Sequence, residues 1–297
     1  MHELSLIKFF QQFPNEEKAA EYFEKLRWGE IIVCPYCGSI HISRTKLMPY
    51  RCRDCRKHFS VRTGTALAES RLPLQKWLLA MYILTNSKKG ISSVQLAEYL
   101  GITQKSAWFL AHRLRESFVQ DSTKLAGIIE VDETYIGGKE KNKHNSKKLK
   151  EGRGTKGKQP VIGLKSRKGT VKSFVIYATD TKTLTDSIRK NVEVESHVFT
   201  DEWRAYTDLD EYIHEKVNHS VGEFVNEKVF TNGIESFWAL VKRGYYGIYH
   251  QWSVKHLQRY INEFCLRQNI VGDLEKISYT FLNSFGKRLM YRDLIAA

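Results

Sequence analysis

The stretch Gly127-Ile-Ile-Glu-Val-Asp-Glu-Thr-Tyr-Ile136 sets Asp132 in the middle of an apolar, β-branched run. Such a run reads as a buried strand, where a lone carboxylate is costly unless something compensates its charge. Two further acids occupy related settings. Asp201 directly follows the short apolar run His197-Val-Phe-Thr200, and Glu235 opens the amphipathic stretch Asn232-Gly-Ile-Glu-Ser-Phe-Trp-Ala-Leu-Val-Lys-Arg243. Strand, strand end and helix each present one carboxylate, and hard cations of the magnesium type take oxygen ligands. A pair of such ions, about 4 Å apart, clamps the attacking and leaving oxygens of an in-line phosphoryl displacement. Asp132, Asp201 and Glu235 are therefore the expected ligands of two catalytic Mg²⁺ or Mn²⁺ ions, and phosphodiester chemistry is the expected reaction.

Each acid has a competitor. Glu130 shares the face of Asp132 by strand alternation, whereas Glu133 points the other way. Glu202 competes with Asp201, which also suits the cap of a following helix. Glu235 also fits an ordinary first-turn acid favoured by the helix dipole.

The elements around the acids set the fold class. Val161-Ile-Gly-Leu164 and Val171-Lys-Ser-Phe-Val-Ile-Tyr177 read as a hairpin joined by Ser-Arg-Lys-Gly. A short helix is expected over Thr183 to Lys190, a strand over Val198-Phe-Thr-Asp201 parallel to the first, and a polar, aromatic helix over Trp203 to Leu209. Three strands in a meander, then helix, strand and helix, is the ribonuclease-H order.

The chain has 297 residues, 42% of them apolar and 12% aromatic, enough for real cores rather than disorder. Its longest apolar runs, such as Trp77-Leu-Leu-Ala-Met-Tyr-Ile-Leu84, fall short of the ~20 residues a membrane helix needs. The start, Met1-His-Glu-Leu-Ser-Leu-Ile-Lys, lacks a secretory pattern, so a cytoplasmic location is expected. A formal charge of +14 favours a polyanionic partner. Half of it falls between Gly137 and Gln159, where nine Lys or Arg face two Glu. That segment is a solvated loop by composition, and its place just after Asp132 suits phosphate contact.

Cys34-Pro-Tyr-Cys37 and Cys52-Arg-Asp-Cys55 are two C-x-x-C knuckles. Four thiolates so spaced close a tetrahedron around a structural Zn²⁺. Disulfides are the alternative, disfavoured by a reducing compartment. The second knuckle is basic (Arg51, Arg53, Arg56, Lys57, His58), with Tyr36, Tyr50 and Phe59 nearby. Cys265 stands apart in an apolar helical pattern and reads as core.

Ser92 to Arg115 reads as two short helices about a Gly101 turn, the first capped by Ser92 or Ser93 and the second by Thr103. Val94, Leu96, Ala97 and Leu100 form the first apolar face, and Ala107, Leu110, Ala111 and Leu114 the second. Gln104, Lys105, Ser106, His112 and Arg113 are left outside. The N-terminal part of the second helix in a helix-turn-helix enters the major groove, which makes Gln104, Lys105, Ser106 and Arg113 the expected DNA contacts. Leu74 to Leu84 supplies a helix to pack against the pair. The expected organisation is an N-terminal helix and zinc ribbon (residues 1–66), a helix-turn-helix region (67–122), a ribonuclease-H-like α/β catalytic domain (123–270) and a C-terminal tail (271–297).

Val131-Asp-Glu-Thr-Tyr-Ile-Gly-Gly138, Thr200-Asp-Glu-Trp-Arg-Ala-Tyr206, Val217-Asn-His-Ser220 and Thr231-Asn-Gly-Ile-Glu-Ser-Phe-Trp-Ala-Leu-Val-Lys-Arg-Gly244 resemble the acidic-triad (DDE) transposases of bacterial insertion sequences. The resemblance is to the insertion-sequence 1595 family, with its ISXO-like catalytic domain and N-terminal zinc ribbon, and spans about residues 15 to 270. It implies that Asp132, Asp201 and Glu235 are metal ligands, and that Lys242, two turns beyond Glu235, contacts the DNA backbone near the scissile phosphate. It further implies binding of element inverted repeats and target DNA, cleavage and strand transfer, a dimer or larger homo-oligomer on DNA, and a nucleoid-associated location. Asn218 and His219 match a family string without an assigned role. The alternatives are a nuclease or resolvase of the same fold without strand transfer, and a domesticated DNA-binding regulator.

Overall fold

The computed structural model describes residues 4–45, 49–138, 140–142, 144–148, 154–201, 205–217 and 231–296. Two compact units emerge, one made of residues 1–119 with 270–297, the other of residues 120–269. The first begins with helices α1 (Leu6–Gln12) and α2 (Glu16–Trp28), each capped by a side-chain oxygen, Ser5 and Asn15. An antiparallel ribbon of β1 (Ile42–Arg44), β2 (Tyr50–Cys52) and β3 (His58–Phe59) follows. Helices α3 (Leu74–Asn86), α4 (Ser93–Leu100) and α5 (Gln104–Arg115) come next.

The turn between α4 and α5 forms as its residues require. Ser92 Oγ accepts from Gln95 N, Gly101 closes α4 at φ 58° and ψ 52°, and Thr103 Oγ1 accepts from Ser106 N. That left-handed position is open to glycine without the penalty a Cβ brings. Leu96, Ala97, Leu100, Ala107, Leu110, Ala111 and Leu114 are all buried, and α3 packs against the pair. Val94 departs from the expected face: it is 57% exposed, one position off the stripe that contacts α3 and α5.

The second unit is built on a five-stranded sheet. β4 (Ile128–Ile136) pairs with β5 (Gln159–Ser166), which pairs with β6 (Val171–Val175), both antiparallel. Helix α6 (Thr181–Asn191), capped by Asp180, leads to β7 (His197–Asp201), parallel to β4 on its other side. β8 (Ile213–Val217) runs parallel to β7, so the order is β6-β5-β4-β7-β8. Helices α7 (Asn232–Gly244) and α8 (Val254–Asn269) complete the unit. One sheet face buries Ile129, Val131, Ile162 and Leu164 against α6 and the 205–212 segment. The other buries Val161, Val171 and Ile136 against Ile234, Trp238, Val241 and Phe264 of α7 and α8. Cys265 is 1% exposed in this second layer, a core residue as its pattern indicates.

One expectation in this unit does not hold, and one strand was not anticipated. Residues 205–209 are turn and irregular chain rather than helix, while Trp203 lies outside the described residues. Tyr206, Leu209 and Tyr212 plug the core there, and Thr207 and two aspartates give the segment poor helix propensity. β8 has no apolar alternation to announce it. Its interior is His-Glu-Lys, and backbone pairing with β7 from His197↔Ile213 to Asp201↔Val217 holds it as an edge strand.

The chain then returns to the first unit with α9 (Asp273–Leu282) and α10 (Tyr291–Ile295). The region read as a tail thus carries a packed helix: Phe281 meets Phe23 at 4.6 Å between ring centroids, and Ala66 N donates to Ser284 O at 2.9 Å. Its signal was the helical spacing of Ile277 and Phe281. Among the described residues, no helix is long and apolar enough to cross a membrane.

Candidate active site and metal centre

Asp132 lies mid-strand on β4, and its register partner on β5 is Gly163. The Trp238 ring of α7 fills the space over that glycine, since a Cβ there would come within 2.5 Å of the indole. α7 is therefore drawn close to the sheet beside Asp132. It buries Ile234, Phe237, Trp238 and Val241, the i, i+3, i+4, i+7 face of a core-packed helix. Glu235 and Lys242 stay on its exposed flank, seven residues and about 10 Å apart along the axis. Asp201 ends β7, on the strand beside Asp132 in parallel pairing.

Asp132 feels its acidic neighbours. Burial first, then the charges of Glu133, Asp201 and Glu235, push Asp132 up to about 7. Such crowding is what a set of carboxylates shows before a cation compensates it. The donor set fits a hard divalent ion by chemistry, all ligands being oxygen. Among the described residues, only the four cysteines bring three or more potential ligand atoms within 4.8 Å of one another. Thr231 Oγ1 donates to Glu235 Oε1 at 3.1 Å.

The competitors are differently employed. Glu133 turns to the opposite face, as alternation requires, and its Oε2 accepts the Tyr206 hydroxyl at 2.7 Å. Glu130 shares Asp132's face, but its Oε2 accepts the Ile234 N–H at 2.9 Å. Glu202, Asn218 and His219 lie outside the described residues, as do parts of the basic segment after Gly138. Glu130's employment, and the part Lys165, Gly233 and Tyr206 play, escaped sequence reading. Their pairings span from 68 to 104 residues of chain.

In the ribbon, Cys34 and Cys55 sulfurs are 3.7 Å apart and those of Cys37 and Cys52 3.6 Å, with all four Sγ atoms within 4.8 Å. Backbone N–H groups of Cys55 and Asp54 pull the Cys52 thiol down to about 6, so it is a ready thiolate. Four sulfurs converging this way fit a tetrahedral zinc. Trp28, Tyr50 and Phe59 stack around the cluster, leaving Tyr36 outside with the Lys57 ammonium 4.7 Å over its ring.

On α5, Gln104 and Lys105 are exposed and Ser106 is half-buried. Gln104 Nε2 donates to Ser93 Oγ at 2.8 Å, and the Lys105 ammonium sits 4.7 Å over the Tyr291 ring. His112 and Arg113 are not outside as expected: they are 0% and 6% exposed. The C-terminal half of α5 is enclosed by α3 and the 68–72 segment. There the Arg113 guanidinium donates to Ala68 O and lies between the Trp77 and Phe109 rings, at 5.1 and 5.4 Å. Burial lowers its pKa to about 10.

Residues 124–269 match the family model of the ISXO2-like transposase domain, and residues 14–58 that of the transposase zinc-ribbon domain. An uncharacterized protein in transposable element ISH50 of Halobacterium salinarum is 30% identical over 278 residues, 87% of this chain and 92% of that one. An uncharacterized transposase-like protein of Haemophilus influenzae is 37% identical over 75 residues, 25% of this chain and 60% of that one. Among solved structures, the simian T-cell lymphotropic virus intasome in complex with PP2A regulatory subunit B56 gamma matches at 13% identity and TM-score 0.31, over 69% of this chain and 71% of that one. A likeness that low carries no argument. The two domain matches and the nearly full-length relative show that the chain belongs to the insertion-sequence 1595 family of transposases.

Proposed function

We propose that the second unit is a ribonuclease-H-like nuclease domain that cuts DNA at the ends of its element and joins them to target DNA. The strand order β6-β5-β4-β7-β8, with only the first two connections antiparallel, supports the fold. The observation that carries the chemistry is that Asp132 on its strand feels the charges of Asp201 at a strand end and Glu235 on a helix: burial first, then the charges of Glu133, Asp201 and Glu235, push it up to about 7.

Two divalent ions, Mg²⁺ or Mn²⁺, supply charge neutralisation at the attacking and leaving oxygens of the phosphoryl transfer. Asp132, Asp201 and Glu235 hold them. In the first step water attacks phosphorus at the element end and the P–O3′ bond breaks, leaving a 3′-hydroxyl. In the second that hydroxyl attacks a target phosphodiester, forming one P–O bond as another breaks, so no covalent enzyme intermediate is needed. Lys242 lies on the flank of Glu235, where its ammonium suits a backbone phosphate. Gln104, Lys105 and Ser106, together with the basic rim of the ribbon, are the proposed contacts to the inverted repeat, and two ends require two copies of the chain or more.

The test is Mg²⁺-dependent cutting and joining of labelled element ends, with a gel shift for binding. Asp132→Ala, Asp201→Ala and Glu235→Ala are expected to abolish both steps and leave end binding intact. Lys242→Ala is expected to weaken activity less, because one phosphate contact is lost rather than an ion. Full activity of Asp132→Ala or Asp201→Ala overturns the reading, and cutting without joining in the parent makes the protein a nuclease only.

A further inference from the structure

Glu130 and Lys165 face each other across the β4–β5 pairing. Both reach the same peptide bond, the one joining Gly233 to Ile234 in the first turn of α7. The Glu130 carboxylate takes its N–H at 2.9 Å, and the Lys165 ammonium donates to its carbonyl at 2.9 Å. Gly233 is required for the approach: a Cβ there would fall 2.6 Å from Glu130 Oε2. Glu130 is 2% exposed and its bond to Ile234 is buried, while the Lys165 bond is partly buried.

The first turn of α7 needs such help. The Thr231 hydroxyl donates to the Glu235 side chain rather than capping a backbone N–H, and glycine is a poorer helix former than alanine. Yet Glu235 is the residue immediately after the gripped peptide, while Glu130 is two residues before Asp132 on the same strand face. The path from one acid to the other is therefore two residues of strand, one hydrogen bond and one residue of helix.

We propose that Glu130 and Lys165 are a positioning pair, which clamps the Gly233–Ile234 peptide and so fixes Glu235 relative to Asp132. The inference rests on the three-acid reading above. Neither residue touches the reacting atoms. An ion site tolerates displacements of roughly 0.5 Å, which a fraying helix end exceeds.

The experiment uses the full chain and three readouts: amide hydrogen exchange over residues 232–238, Mn²⁺ binding followed by the loss of the free-ion resonance signal, and strand transfer of pre-cut ends. Glu130→Ala and Lys165→Met are expected to speed exchange in the first turn of α7 and weaken Mn²⁺ binding. Both should also slow transfer on the order of 10- to 100-fold, the scale of a small misplacement. Glu130→Gln keeps an oxygen for the Ile234 N–H and is expected to recover protection and most of the transfer. Gly233→Ala, which thrusts a methyl group at Glu130, reproduces the loss and carries the test if Glu130→Ala does not fold. Parental exchange in Glu130→Ala and Gly233→Ala overturns the clamp. So does a Glu130→Gln protein with parental exchange but no Mn²⁺ binding, because the carboxylate is then a ligand. Asp132→Ala is expected to lose Mn²⁺ and transfer with α7 exchange unchanged. Transfer surviving in that variant overturns the three-acid reading, while the exchange data still judge the clamp.

Discussion

Tyr206 donates its hydroxyl hydrogen to Glu133 Oε2 at 2.7 Å, on the sheet face opposite the one Asp132 presents to α7. Burial, followed by the Glu133, Asp132 and Asp201 charges, raises the Tyr206 pKa well above the usual phenol range, so it remains a donor. Glu133 is thus a half-buried carboxylate that accepts one hydroxyl on the face away from α7. Tyr206→Phe removes that hydroxyl and leaves the acid without its donor. The expected cost is about 1–3 kcal/mol of stability, read as a lower denaturant midpoint. Cutting and joining should fall much less than in Asp132→Ala. Loss of activity equal to that of Asp132→Ala, at unchanged stability, would place Glu133 among the ligands instead.

The crowding at Asp132 has a pH signature. Its folded pKa is raised, from 3.8 to about 7, so between those values the folded state binds more protons than the unfolded one. Stability contributed by this group is then full below pH 4, declines as pH rises toward 7 and is flat above. A shift of this size is worth roughly 2–4 kcal/mol for a partly solvated group. In buffer without added Mg²⁺, the parent should lose stability over that window relative to Asp132→Asn. Added Mg²⁺ should stabilise the parent more at pH 8 than at pH 5, because ions bind the deprotonated acids. Parallel pH–stability curves for parent and Asp132→Asn would remove the raised pKa that burial and the neighbouring charges give Asp132.

How much of this was legible in the sequence depends on the distance over which the physics acts. Asp132 was readable because a charge inside Ile-Ile-Glu-Val-Asp contradicts its neighbours, and the Gly101 turn because the caps on either side are local. Strand alternation already put Glu130 on the face of Asp132 and Glu133 on the other. What each meets there, the Ile234 N–H of α7 for one and Tyr206 for the other, is a matter of tertiary contact. Lys165 gave no signal at all, since its task follows from pairing with Glu130 across the sheet. Arg113 was misplaced because a charged residue at the end of an amphipathic helix ordinarily points to water. Here two aromatic faces and a carbonyl receive it.

The ribbon should stand or fall with its metal. Its buried apolar content is little more than Tyr50, Phe59 and the cysteines, with Trp28 partly buried beside them, too few to fold alone. One zinc per chain is expected from metal analysis of the purified protein. Cys52→Ser should unfold the ribbon, seen as rapid amide exchange over β1 to β3, and weaken end binding. Exchange over β4 to β7 should keep its parental protection. A metal-free parent with a protected ribbon would exclude the zinc site.

On α5, burial divides the four residues expected to meet DNA into two kinds. Gln104 and Lys105 stand at the N-terminal end, exposed, and Ser106 beside them is half-buried. Replacing Gln104 or Lys105 by alanine should weaken binding of the element end at unchanged melting temperature. For Lys105 the log–log salt slope should also fall by about 0.9, one phosphate's worth of released counterion. Arg113 is enclosed, and its loss empties the space between Trp77 and Phe109 while leaving the Ala68 carbonyl unpaired. Arg113→Ala should cost on the order of 1–3 kcal/mol of stability and lower the melting temperature. Any loss of DNA binding should follow from the unfolded fraction, with an unchanged salt slope. A fully stable Arg113→Ala protein with a shallower slope would return this arginine to the DNA surface.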